Sequence, residues 1–383
     1  MAAMAGTGCA ERPGGGDAVD AVRRSGDLDD GREGAAATVV FGCAGCGAAL
    51  TAPVSRVALP VNAHHTYGHQ FLPPLMEPGT FAVDPEPFGP PWRPWDEVGA
   101  DEAGARGVYA PVCSLSYGPR GAVVIAPGDV RGTAFVPDRG DGCLGLDGRD
   151  GPNLACVRCG RAVATRVDDC SYWQAVWLDP LAVRRLTGDD PPHRAADWHA
   201  LPEGVPPLES SGMWSPLWDV AVSAALAHLL AVSAGVRVNL PDGLVAETFG
   251  PALDALLPPG PPARNLALAG PGRSTDADIA LVPRHPRTGE TWPYAGETVP
   301  LAAEVWAYLA RHHDRRPVPG AGRWPDDAWR DDPPPLLPSM RFRPDRRVFL
   351  RTLARLPEVR APWLRAIYDR VGNRAPAHPD PFW

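Results

Sequence analysis

The sequence predicts an α+β chain of several domains: a β-rich N-terminal domain, a small α/β domain and a helical C-terminal end. Three observations carry this reading. Between about residues 38 and 186, short β-branched and aromatic runs alternate with Pro and Gly, the pattern of short strands and turns. From Pro216 to His313, apolar residues recur near a 3.6-residue period and alternate with brief strand-like runs, as in an α/β layer. After residue 339, two short amphipathic stretches follow. At roughly 100–200 residues per domain, 383 residues allow two or three domains. An apolar fraction of 44% and a charged fraction of 21% are those of a globular protein. A wholly disordered chain, a fibre and a coiled coil are thereby excluded.

Residues 1–36 are mostly Gly, Ala, Asp and Arg without period, and read as a disordered tail with no apolar secretory stretch. Residues 37–186 form the β-rich domain. TVVF from Thr38 is a strand feeding a tight turn, and Val123–Ala126 and Thr133–Val136 are strands around a Pro-Gly-Asp turn. Residues 187–211, rich in Pro, Asp and His, read as a linker. The α/β domain covers 212–315. Its helices are Pro216–Ala234, Leu244–Leu257, which Pro251 should bend, and Leu301–His313. Its strands are VRVNL, NLALAG and DIALVP. Residues 316–338 form a Pro/Asp-rich linker, and 339–383 an Arg-rich helical C-terminus with helices over Asp345–Leu356 and from Pro362 to Gly372. In the first of these, Arg347, Arg351 and Arg355 recur opposite Phe349, Leu353 and Leu356. That spacing predicts arginines facing outward.

Charge narrows the function classes. All 37 basic residues are arginine and none is lysine, as high-GC codon bias produces, so Schiff-base and P-loop lysine mechanisms are excluded. A net charge of −8 disfavours nucleic acid as a partner. Residues 341–374 run against this trend, with ten arginines against Asp345, Glu358 and Asp369. The apolar stretch Val220–Gly235 contains His228 and two serines and reads as a buried helix, not a membrane span.

The strongest signal is a local repeat. Cys43-Ala-Gly-Cys46-Gly47 is echoed by Cys156-Val-Arg-Cys159-Gly160. Two thiolates separated by two residues can turn onto one cation, the glycine permits positive φ, and two such pairs supply the four sulfurs of a structural zinc site. The repeat resembles the zinc-ribbon family of four-cysteine sites. The resemblance implies structural Zn²⁺ on Cys43, Cys46, Cys156 and Cys159, and covers only the two cysteine segments. Between the pairs lies an insert, residues 47–155, against about 15–20 in a typical site. The longer loop costs about 1.6 kcal/mol more to close, small beside the ~10–16 kcal/mol supplied by zinc. The stretch GCLGLDGRDGPNLACVRCG with VATRVDDCSYWQ also resembles proteins of high-GC bacteria, without implying a function.

Weaker constellations have structural explanations beside functional ones. Cys113, Cys143 and Cys170 are left without an assigned role; Cys170, after Asp168 and Asp169, is a buried or half-exposed thiol, or else a reactive thiol or a further ligand, and Cys9 lies in the tail. His64, His65 and His69 form a loop cluster. Glu247, Asp276 and Asp278 are the carboxylates that metal-dependent phosphodiester chemistry would need, although turn acids explain the last two. Gly270-Pro-Gly-Arg-Ser-Thr lacks the spacing and lysine of a phosphate loop. No residue is named as catalytic. The expectation is a cytoplasmic, zinc-stabilised multidomain protein that acts by binding, with no catalysis of its own; an unidentified protein is one candidate partner, and a membrane is not expected. The alternatives are an enzyme with its site in the α/β region or an inter-domain cleft, and a nucleic-acid-binding zinc ribbon. Convergence of Glu247, Asp276 and Asp278 in one pocket would favour the enzyme.

Overall fold

A computed structural model describes residues 37–140, 142–188, 195–209, 213–312 and 342–373. The tail 1–36, the linker 316–338, and parts of 187–211 and of the C-terminus lie outside the described residues, as does Cys9. The described residues give a mixed α+β fold with several sheets.

The largest sheet has nine strands: β1 (Thr38–Cys43), β2 (Val54–Arg56), β3 (Thr80–Val83), β6 (Val123–Ile125), β7 (Thr133–Phe135), β8 (Leu154–Cys156), β9 (Ala162–Val167), β10 (Ala175–Leu178) and β11 (Val183–Thr187). Their order is β11-β1-β2-β3-β6-β10-β9-β8-β7. Only β2 and β3 pair in parallel. The segment 47–155 is woven into this sheet, since β2, β3, β6, β7 and β8 all come from it. Alternation assigns the faces. Val123, Ile125, Val176 and Leu178 join Val39, Phe41 and Phe81 on one face, while Val124, Ala175 and Trp177 join Leu72 and Met76 on the other. A separate ribbon of β4 (Trp92–Pro94) and β5 (Ser114–Ser116) carries short helices α1 (Trp95–Val98) and α2 (Ala100–Ala105) between its strands.

The strands β6 and β7 are not hairpin partners. β6 pairs with β3 and β10, whereas β7 pairs with β8. The Pro-Gly-Asp between them is a 3₁₀ turn whose buried Asp129 accepts the backbone N–H of Gly79 at 2.8 Å. That tie turns the chain from one strand pairing to another.

The second sheet is parallel: β12 (Arg237–Asn239), β13 (Ala263–Leu268), β14 (Ile279–Arg284) and β15 (Glu297–Ala302). Helices α3 (Pro216–Ser233), α4 (Leu244–Leu256) and α5 (Ala303–His312) bury Trp218, Leu226, Phe249 and Val305 against Ile279, Leu281 and Val299. α3 is long and apolar enough to cross a membrane, but most of it is buried here; an all-round apolar helix is what a helix packed on several sides requires. α5 starts at Ala303, because Leu301 and Ala302 remain paired with Pro283 and Arg284 in β15. α4 runs continuously through Pro251.

Helix α6 (Arg346–Leu353) packs on α3 and is followed by α7 (Pro362–Gly372). Asp345 caps α6 by accepting the N–H groups of Arg347 and Val348 at 2.8 and 3.0 Å. Phe349 and Leu353 are buried as their spacing predicts. Val348 and Val220 reach the second face of the large sheet, so α3 and α6 join the two main sheets of the described residues.

Candidate functional site: a four-sulfur cluster and an arginine-lined cleft

The two CxxCG segments fold into the same backbone shape. The N–H of Gly47 donates to Cys43 O at 2.8 Å, and that of Gly160 to Cys156 O at 2.8 Å. The N–H of Cys43 donates to Ala48 O, and that of Cys156 to Arg161 O, at 2.8 and 2.9 Å. Gly47 and Gly160 take φ of +72° and +73°, a region that a side chain would strain. Each turn closes a strand end: Cys43 ends β1 and Cys156 ends β8.

These ends meet. The sulfurs of Cys43 and Cys159 lie 3.6 Å apart, as do those of Cys46 and Cys156. All four lie within 4.8 Å of one another. Four sulfurs bound tetrahedrally at 2.3 Å would be separated by about 3.8 Å, so this cluster is close enough to hold a metal ion. Cys43 and Cys156 are buried, Cys46 half-buried and Cys159 exposed. Burial alone would raise the Cys43 thiol, but N–H groups of Cys46 and Gly45 and the neighbouring sulfurs bring it down to about 7. Arg161 N–H favours the Cys159 thiolate, yet Cys43 and Cys46 beside it push that thiol up to about 11.

The other prominent feature is a cleft of about 1010 Å³. The segment 63–66 and Trp177 of β10 line one side, the β4–β5 ribbon another, and α6 and α7 a third. Six arginines line it (Arg106, Arg120, Arg149, Arg347, Arg351 and Arg355) against three carboxylates, Glu86, Asp147 and Asp369. Arg351 and Arg355 do not face outward as the isolated helix predicts. Both reach Glu86, at 2.7 and 3.0 Å, because the loop after β3 brings that carboxylate against the polar face of α6. Burial would lift the Glu86 carboxyl, but the two guanidiniums hold it at about 2. Arg120 donates to the carbonyls of Pro85 and Arg106. Phe88 stacks on Trp177 with centroids 4.2 Å apart, and His64 lies 5.4 Å from the same indole. His64 Nε2 is 3.1 Å from Oδ1 of fully buried Asp84.

Other sequence candidates fall elsewhere. Glu247 lies in the first turn of α4, and Asp276 and Asp278 in the loop before β14; all three are exposed and do not converge as ligands. Asp278 instead accepts the N–H of Asn265 at 2.8 Å. Gly270 and Arg273 close a tight turn by mutual backbone hydrogen bonds. Cys113 is exposed. His65 is half-buried in the cleft wall, where desolvation, helped by Arg351, pulls its imidazole down to about 3. His69, Cys143 and Cys170 come together as a second group of metal-ligating side chains. Nothing in their sequence spacing marks them as partners. Comparison of the chain with known protein families, with curated proteins and with solved structures returned no match.

Proposed function

We propose that this protein is a zinc-stabilised binding protein, with one structural Zn²⁺ on Cys43, Cys46, Cys156 and Cys159 and a binding site in the arginine-lined cleft. The zinc reading rests on two turns closed by the same hydrogen bonds, presenting four sulfurs and no carboxylate or imidazole, a donor set that closes the coordination shell. In this reading the site is a zinc ribbon whose knuckles hang from strands of a larger sheet. A reducing, cytoplasmic setting suits the seven free thiols among the described residues.

The observation that carries the binding reading is the excess of guanidinium over carboxylate in a cleft that also holds stacked aromatic rings. Guanidinium groups bind carboxylates and phosphates through paired N–H donors, and the aromatic wall favours a planar group. The ligand class is therefore an anion carrying a ring. A thermal-shift series with AMP, adenosine and pyrophosphate tests this. AMP at a hundredfold excess over its Kd should stabilise by about 2.7 kcal/mol, less as salt rises and less in Arg120→Ala. Equal responses to AMP and adenosine, or none to any probe, would sink the reading.

Catalysis is the second reading, and one observation favours it: His64 lines the cleft while resting on the buried Asp84, the arrangement that orients a general base. Turnover of p-nitrophenyl phosphate, lost in His64→Ala, would make the cleft an active site.

A further inference from the structure

The geometry points to a second metal site, independent of the four-cysteine cluster: Cys143, Cys170 and His69 bind one Zn²⁺ and leave its fourth position open to solvent. The three ligand atoms lie within 4.8 Å of one another. Cys170 Sγ is 3.1 Å from His69 Nδ1, and Cys143 Sγ is 4.0 Å from His69 Nε2. A tetrahedral zinc with bonds of about 2.3 Å to sulfur and 2.0–2.1 Å to nitrogen sets an S–N edge near 3.5 Å; the ion bonds a single ring nitrogen of His69, and the 3.1 Å from Nδ1 to Cys170 Sγ lies close to that edge.

The site is built by its surroundings. Segments 66–70 and 170–172 are tied by Tyr67 N–H to Ser171 O at 2.9 Å and Ser171 N–H to Gln70 O at 2.8 Å. Ser171 takes φ of +72° directly after Cys170, a conformation uncommon without glycine. The third ligand is delivered by a carboxylate. Asp169 accepts the N–H groups of Cys143, Leu144 and Gly145 at 2.9, 2.5 and 2.9 Å. A Cβ at Gly142 would collide with that carboxylate, so glycine permits the loop to close on it. Asp168 is occupied by the N–H of Leu146 and by Arg166.

Two consequences follow for the coordination. Both aspartates are engaged with N–H donors and do not complete the shell. They place negative charge beside a cation, the supporting role that outer carboxylates play in metal sites. Cys170 is buried, whereas Cys143 and His69 are exposed, so water reaches the metal from one side. Two thiolates and one imidazole with an open position is the donor set of catalytic rather than structural zinc, and it suits Zn²⁺ better than Mg²⁺ or Ca²⁺.

The test uses the full chain, stripped by chelator under reductant and titrated with Co²⁺, then with Zn²⁺. The wild type should take two equivalents, both giving thiolate-to-cobalt charge-transfer absorption. Cys143→Ser should take one and keep its circular dichroism spectrum. Cys46→Ser should lose the other equivalent and keep the one that Cys143→Ser removes. This arm separates failure of the second site from failure of the four-cysteine reading. His69→Ala should retain the second equivalent only weakly, with an altered visible spectrum. An unchanged equivalent number in Cys143→Ser, or a Cys143–Cys170 disulfide that persists under reductant and blocks uptake, would overturn the proposal.

Discussion

Cys43 and Cys156 end strands, with Cys46 and Cys159 in the turns that follow, whereas Cys143, Cys170 and His69 sit on loops, the first of them held by the carboxylate of Asp169. In the first cluster each pair of ligands is local, three residues apart, and the backbone of each turn is complete before the pairs meet. In the second every ligand comes from a different segment, and the site exists only because the loops around it are pinned. The two clusters therefore act in different places. A metal held by the four sulfurs would join β1 to the β8–β9 turn across the sheet and so support folding. A metal held by the three-ligand group would crosslink surface loops and add little to the core.

The sharpest way to break this contrast is Cys159→Ser. If the four-sulfur cluster supports the sheet, that change removes a sizeable share of the ~10–16 kcal/mol that a four-thiolate zinc supplies. Limited proteolysis should then cut within 37–188 while the parallel sheet of β12–β15 stays protected. Protection equal to the wild type would show the cluster to be ornamental.

Acid offers a second test. His65 is held at about 3 against an ordinary 6.5, chiefly by burial. Below about pH 6.5 the unfolded chain takes up a proton that the folded one refuses, so stability falls as pH drops from about 6.5 to 3. Glu86, held at about 2, adds a loss below about 4.5. Asp219 at the start of α3 works in the opposite direction. Burial lifts its carboxyl to about 7, so the folded chain keeps a proton that the unfolded one loses, and stability falls as pH rises from about 3.8 to 7. Urea unfolding of His65→Gln should show a flatter acid limb, with its zinc content at neutral pH unchanged; an identical limb would remove His65 from the account.

Glu86→Gln tests the cleft wall. It leaves Arg351 and Arg355 without their carboxylate, and because all three side chains are about a third exposed or less the expected cost is about 1–3 kcal/mol, read as a lower urea midpoint. Binding of AMP should tighten, since two guanidiniums are released. The smallest effect is expected from Cys143→Ser in metal-free protein. This exposed residue should change stability by no more than about 0.5 kcal/mol, in contrast to Cys159→Ser. A large loss would mean that the loop cluster carries the fold.

Much of the local structure was legible in residues. The strand from Thr38, the helix from Pro216, and the buried Phe349 and Leu353 follow from periodicity, because each element's apolar face is set by its own residues. The helix limits at Ala303 and Leu353 were less legible: sheet pairing kept Leu301 and Ala302 extended, and α6 ends at Leu353 ahead of the 3₁₀ turn Pro357–Arg360. Long-range charge was not legible at all. On an isolated α6 the face opposite Phe349 is solvent, and only the fold places Glu86 there to receive Arg351 and Arg355.

The sequence by itself determined the two CxxCG turns, since each is closed by hydrogen bonds within six residues and by a glycine at positive φ. It also determined the alternation that gives the large sheet two buried faces. Tertiary structure alone decided that the two turns meet, that the segment between them joins the same sheet, and that Glu247, Asp276 and Asp278 stay apart. It alone assembled the cleft and the His69–Cys143–Cys170 group, whose members lie 74 and 101 residues from His69 along the chain. Local hydrogen bonds and side-chain periodicity act over a few residues and are written in any short segment, whereas contacts between distant segments depend on how every intervening element packs.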